Sequence, residues 1–121
     1  MKRILIDTNA VMAIAEFKVD IFAELEKLDF NFEVVLLSGV VDELEKIIAS
    51  QRGKYKLAAK LGLQILKAKE IKIVKSSGDV DDALVELSED NLVLTQDVDL
   101  KRRLRKPYLT IRQKKKVVLV R

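Results

Sequence analysis

Lys2-Arg3-Ile4-Leu5-Ile6-Asp7-Thr8-Asn9 is the stretch that decides the fold. An apolar run only long enough for a strand passes directly into an acid and two polar residues suited to turns and helix caps. Helical spacing then takes over from Val11 to Phe17. The pattern returns near the other end, where Leu92-Val93-Leu94-Thr95 runs into Gln96-Asp97-Val98-Asp99. In both places an acid stands where an apolar strand stops.

Between them the periods alternate. Asp20 to Leu28 carries apolar residues at Ile21, Phe22, Leu25 and Leu28, the stripe of an amphipathic helix with Asp20 as its cap. Phe32 to Leu37 is a strand ended by Ser38-Gly39, and Val40 to Ala49 is helical, with Glu43 in its first turns. Gln51 to Lys54 breaks the pattern before a long helix from Tyr55 to Ala68. Ile71 to Val74 is a third strand. Ser76-Ser77-Gly78-Asp79 is a turn and cap ahead of a helix from Val80 to Leu87. After the Leu92 to Thr95 strand, a short basic helix from Asp99 to Leu104 stops before Pro107. Tyr108 to Ile111 and Val117 to Val120 flank the polar segment Arg112 to Lys116. Strands alternating with helices predict an α/β protein: a three-layer α/β/α sandwich around a central, mainly parallel sheet.

Composition narrows the chemistry. The 121 residues contain no Cys and no His, which excludes disulfides, thiol catalysis, an imidazole base and an ordinary zinc site. The length suits one domain over 1–121. No run approaches the roughly 18 apolar residues of a membrane span, and the apolar stretch after Met1-Lys2-Arg3 is too short for a signal peptide, so a cytoplasmic protein without membrane contact is expected. The net charge of +4 hides a division: residues 101–121 hold ten of the 23 Lys and Arg and no acid, while all 19 acids precede them. A basic segment beside an acidic body suits a polyanion partner, the cations holding phosphates that the acids would repel. The same segment would also serve as a solvated surface.

In a parallel sheet, sites form beyond the carboxyl ends of the strands. Asp7 and Asp97 fall there directly. Glu43 and the Asp79 to Asp82 cluster lie in the first turns of helices that follow strands, so they face the same rim. Any one of these acids alone would suit a helix cap or a favourable position in the helix dipole. Gathered together they repel unless a cation intervenes, and hard oxygen ligands with open positions suit Mg2+ or Mn2+. One such ion, or two about 3.5 to 4 Å apart, hydrolyses phosphodiesters without histidine. Thr8, Asn9 and Thr95 are candidates to orient ligands or water, and Asp99 is a further acid near the fourth strand.

Leu5-Ile6-Asp7-Thr8-Asn9, Val41-Asp42-Glu43-Leu44, Asp81-Asp82-Ala83-Leu84-Val85 and Leu94-Thr95-Gln96-Asp97, in that order, resemble the PIN-domain ribonucleases over nearly the whole chain. The likeness is greatest to archaeal members of the Fcf1/Utp24 and VapC groups, and extends to Glu43-Leu44-Glu45-Lys46 and the basic stretch from Asp99 to Pro107. The resemblance implies a divalent-metal-dependent endoribonuclease of single-stranded RNA, in rRNA processing or as a toxin. It carries the family's acids onto Asp7, Glu43 and Asp97, with the third on Asp81 or Asp82. Asp81 is preferred because it lies nearer the Val80, Ala83, Leu84, Leu87 stripe. Asp7, Asp81 and Asp97 are then the metal ligands, with Asp82 and Asp99 in reserve, and Glu43 a ligand or the residue that positions the attacking water.

Lys101, Arg102, Arg103, Arg105 and Lys106 would dock RNA backbone, extended by Arg112 and Lys114 to Lys116. The resemblance also implies a homodimer, and a small antitoxin protein or a pre-ribosomal particle as partner. Zinc-binding cysteines carried by some relatives are lacking. Two other readings compete. One is a non-catalytic RNA-binding assembly factor of ribosome maturation. The other is a TOPRIM-like site at Asp97-Val98-Asp99, which would want a glutamate where this chain has Asp7.

Overall fold

Twelve elements follow one another: β1 (Lys2–Ile6), α1 (Thr8–Phe17), α2 (Ile21–Leu25), β2 (Phe32–Leu37), α3 (Ser38–Ser50), α4 (Gly53–Ala68), β3 (Lys72–Val74), α5 (Val80–Leu87), β4 (Leu92–Leu94), α6 (Val98–Arg103), β5 (Tyr108–Arg112) and β6 (Lys116–Val120). They are seen in a computed structural model that describes all residues 1–121. The strands form one sheet in the order β3-β2-β1-β4-β5-β6. The first five are parallel and β6 returns antiparallel to β5. Helix α4 packs on α1 and α3, and α5 on α6. With this strand order, the right-handed crossovers that parallel strands take put α1 to α4 over one face and α5 and α6 over the other, the expected α/β/α layers. No helix is long and apolar enough to cross a membrane.

The strand order explains where a site can form. From β1 the chain moves outward to β2 and β3, then jumps back across β1 to β4. The switch point therefore lies between the adjacent strands β1 and β4. Both are buried, as β1 enters the core at Ile4, Leu5 and Ile6 and β4 through Leu92, Val93 and Leu94. A single cluster of 30 buried apolar residues joins them to the helices, so Asp7, directly after β1, and Asp97, in the turn after β4, both follow closely packed strands.

Two glycines set helix distances. A Cβ on Gly62 of α4 would lie 2.6 Å from the carbonyl oxygen of Val11, so α4 can press on α1 only with glycine there. A Cβ on Gly39, at the start of α3, would lie 2.8 Å from the Val80 side chain of α5. That closeness draws the helix bearing Asp81 toward the helix bearing Glu43.

Several boundaries differ from those the sequence predicts, each for a physical reason. The stripe over Asp20 to Leu28 yields helix only to Leu25, because the Lys27 and Leu28 N–H groups donate to carbonyls three residues back, tightening the chain into turns. Helix α3 starts at Ser38, directly after β2, instead of at Val40. Its own sequence offers no cap. Ser76, distant in sequence, supplies one, its hydroxyl accepting from the Gly39 N–H at 3.0 Å while the Ser38 hydroxyl accepts from the Ser76 N–H at 2.9 Å. Helix α4 begins at Gly53, whose φ of 65° only glycine adopts freely, and not at Tyr55. Strand β4 ends at Leu94, and α6 runs from Val98 to Arg103, one residue earlier than read.

Candidate active site

Asp7 is the centre of the site and its most unusual group. It follows β1 and caps α1, with only 3% of its surface exposed. Its backbone N–H donates to the Leu94 carbonyl at 3.0 Å, so the β1–β4 ladder itself holds it in place. One carboxylate oxygen accepts from the Thr8 N–H at 2.7 Å and the other from the Thr95 hydroxyl at 2.8 Å. Each oxygen keeps a further lone pair. Burial pushes the carboxyl up to about 6, against the lowering effect of those two hydrogen bonds, and the charges of Asp81 and Asp97 push the same way.

Thr95 ties the first acid to the last. Its buried hydroxyl donates to Asp7 and accepts from the Asp97 N–H at 3.0 Å, so β1 and the turn after β4 are joined through one side chain. Asp97 caps α6, its Oδ1 accepting from Asp99 N at 2.8 Å and Leu100 N at 3.2 Å. The cap fixes the carboxylate while leaving Oδ2 without a protein donor. Glu43 is held from the other side, where its Oε1 accepts from the Thr8 hydroxyl. Asp81, in the first turn of α5, is half-buried. Its carboxyl is raised by desolvation, then by the negative charges of Asp79, Asp97 and Glu43, with Arg103 opposing.

These side chains line one open cavity of about 430 Å³, whose walls are Asp7, Thr8, Asn9, Glu43, Lys46, Ile47, Asp81 and Asp97. Four carboxylates meet there, Asp7 and Asp97 as helix caps, Asp81 from a first turn and Glu43 from the second turn of α3, one turn later than the sequence predicts because that helix starts at Ser38. None of the four is in an ion pair. No three of them close into a finished coordination shell; they border a space. The donor set suits a hard divalent cation: oxygen only, negatively charged, with lone pairs left on Asp7 and Asp97 and one buried carboxyl whose ionisation is costly without a cation.

Asp82 and Asp99 lie outside this cavity. Asp82 takes the Arg103 guanidinium at 2.6 Å, and Asp99, almost fully exposed, lies 3.7 Å from Arg102. Arg105 pairs with Glu89 at 3.2 Å. Lys106 is exposed. Lys101 is half-buried, its ammonium pulled below the usual lysine range by burial and by Arg112, with Asp97 acting the other way. The basic segment thus begins beside the carboxylates, and three of its arginines rest on surface acids whose exposed pairs are weak.

Known proteins share this fold. A family model described as a PIN-like domain matches residues 4–114. The chain belongs to the PIN-like domain family. Ribonuclease VapC4 of Methanocaldococcus jannaschii is 34% identical over 125 residues, covering 95% of this chain and 94% of that protein. Ribonuclease VapC9 of Archaeoglobus fulgidus is 34% identical over 100 residues, covering 81% of this chain and 72% of that one. Among solved structures, the PIN domain endonuclease Utp24 superposes with a TM-score of 0.75 at 26% identity, over 97% of this chain and 90% of that one. This PIN-like chain therefore shares family with named ribonucleases and fold with a named endonuclease.

Two further wall residues are Lys46, which the sequence marks only as part of Glu43-Leu44-Glu45-Lys46, and Ile47, which it marks only as apolar helix spacing. Lys46 and Ile47 follow Glu43 by three and four positions, the spacing that puts residues on one helix face, so helical phase alone would have found them.

Proposed function

We propose that this protein is a divalent-metal-dependent endoribonuclease that hydrolyses phosphodiester bonds of single-stranded RNA. The observation that carries the reading is the cavity at the switch point, where four carboxylates meet with no Lys or Arg paired to any of them. Asp7, Asp81 and Asp97 would hold Mg2+ or Mn2+. Bound there, the ion supplies Lewis-acid charge to the phosphodiester and to the attacking water. Glu43, more exposed and anchored by Thr8, orients that water and accepts its proton. Thr95 keeps Asp7 and Asp97 in register. Lys101, Arg102, Arg103, Arg105 and Lys106 grip the RNA backbone, the three arginines exchanging their exposed ion pairs for phosphates.

In this reading residues 1–121 act as one cytoplasmic nuclease domain with 101–121 as its RNA-docking segment. Exposed Leu57, Leu61 and Ile65 form a stripe along α4 that supports docking of a protein, whether a second copy in a homodimer or an antitoxin-type inhibitor. Similarity to the VapC ribonucleases favours the toxin role over rRNA processing.

The test is cleavage of single-stranded RNA by purified protein with Mg2+ or Mn2+, and with neither. Cleavage only with the ion, and its loss by at least about a hundredfold in Asp7→Asn, is expected, since removing even an outer partner of a metal ligand costs roughly 10- to 100-fold. Tight RNA binding with no cleavage under any ion would favour the non-catalytic assembly factor.

A further inference from the structure

The geometry of Asp97 depends on a neighbour that does not line the cavity. The ladder between β4 and β5 is short, registering only Leu94 opposite Leu109, with one more bond from Thr95 N–H to the Leu109 carbonyl at 3.1 Å. After Thr95 the chain leaves the sheet to start α6. Gln96 prolongs the pairing with its side chain. Its Nε2 donates to the Ile111 carbonyl at 3.0 Å, and its Oε1 accepts from the Ile111 N–H at 2.7 Å and from the Thr110 hydroxyl at 2.9 Å.

The amide makes with Ile111 the pair of bonds that a strand neighbour would make, and it does so against buried Thr110 and Ile111. Thr95 and Gln96 therefore pin the turn in opposite directions, the hydroxyl toward Asp7 on β1 and the amide toward β5. Asp97 is the next residue, and its own N–H is one of the bonds to Thr95. With the amide gone, nothing on the β5 side would fix the turn beyond Thr95.

We propose that Gln96 is a positioning residue for Asp97, so that the affinity of the carboxylate cavity for a divalent ion depends on an amide that never touches the ion. This rests on the metal-site reading above. Ile111 leads directly into Arg112, so the same amide also links the carboxylates to the basic hairpin.

Calorimetric titration of Mn2+ into the full chain tests it, with wild type, Gln96→Met, Asp97→Asn and the double variant. Methionine keeps the side chain's length and removes all three bonds. Gln96→Met should weaken Mn2+ binding about tenfold or more, in the range that outer hydrogen-bond partners of metal ligands command. In the Asp97→Asn background the same change should have less than about a twofold effect, because the carboxylate that Gln96 positions is no longer there. Excess Mn2+ should restore kcat of Gln96→Met with KM for RNA unchanged, which a loosened fold would not allow. Should Gln96→Met fold poorly, Thr110→Val removes one of the bonds alone and should weaken Mn2+ binding about two- to threefold. Wild-type affinity in both variants, or an equal loss with and without Asp97, overturns the role of Gln96. Failure of the wild type to bind Mn2+ overturns the metal reading and this inference with it.

Discussion

Asp81 and Asp82 are adjacent in the chain and opposite in circumstance. Asp81 looks into the cavity, where burial and then other acids raise its carboxyl and no cation is in an ion pair with it, while Asp82 faces solvent in contact with Arg103. The same division separates Asp97, which lines the cavity, from Asp99, which stands in water beside Arg102. One step around a helix is enough to move a carboxylate from a place where its charge is costly to one where it is solvated and paired. Unpaired acids are tolerated in the cavity because a divalent ion can neutralise several at once, whereas the outer acids need only a surface arginine.

The largest expected effect comes from separating the neighbours. Asp81→Asn should lower metal-dependent cleavage by about a hundredfold or more, while Asp82→Asn should change it less than about threefold, judged against the 10- to 100-fold effects of outer partners. Initial rates at saturating Mn2+ decide this, and equal losses would erase the distinction. Neither Asp82→Ala nor Arg103→Ala should shift the midpoint of chemical denaturation appreciably, because their pair is exposed.

A smaller effect follows from the burial of Asp7. Its carboxyl is raised from 3.8 to about 6, so between those pH values the folded chain holds a proton that the unfolded chain has released. The stabilisation from this group is fully present below about pH 4 and is lost as pH rises through 6, a fall of about 3 kcal/mol at 1.36 kcal/mol for each pKa unit. Metal-free protein denatured in urea across this range should show the fall relative to Asp7→Asn, which cannot titrate there. Added Mn2+ should shrink it by favouring the ionised form. An identical pH profile in the two proteins would mean that Asp7 carries no such cost.

The smallest effect tests how α5 is brought to the site. Gly39→Ala would press on Val80, an overpacking cost of about 1–3 kcal/mol offset by roughly 1 kcal/mol of helix propensity. A net loss near 1 kcal/mol and weaker Mn2+ binding are expected, the binding but not the stability being restored by Val80→Ala, since Val80 is buried and the new methyl also lies 3.0 Å from the Ser76 hydroxyl. Unchanged binding would show that Asp81 does not depend on this approach.

Much of this was legible in the sequence because the informative signals are local. The strand-to-helix junction at Ile6-Asp7-Thr8 and the apolar runs of β1 and β2 fix the elements and place Asp7 on the rim. What could not be read depends on partners distant in the chain. Helix α3 starts early because Ser76 caps it from 37 residues beyond Gly39. The role of Gln96 exists only once β5 lies alongside, 15 residues later at Ile111. The pairing of Asp82 needs Arg103, 21 residues on. Helical phase favours Asp81 over Asp82 only slightly, and the arginine makes the difference large.

The most direct test is the anomalous scattering map of a crystal soaked in Mn2+ near pH 7, above the raised Asp7 value. The account predicts a peak in the cavity with Asp7, Asp81 and Asp97 oxygens at hard-cation distances of about 2.0–2.6 Å. No peak there, or one seated instead on Asp82 or Asp99, would contradict it.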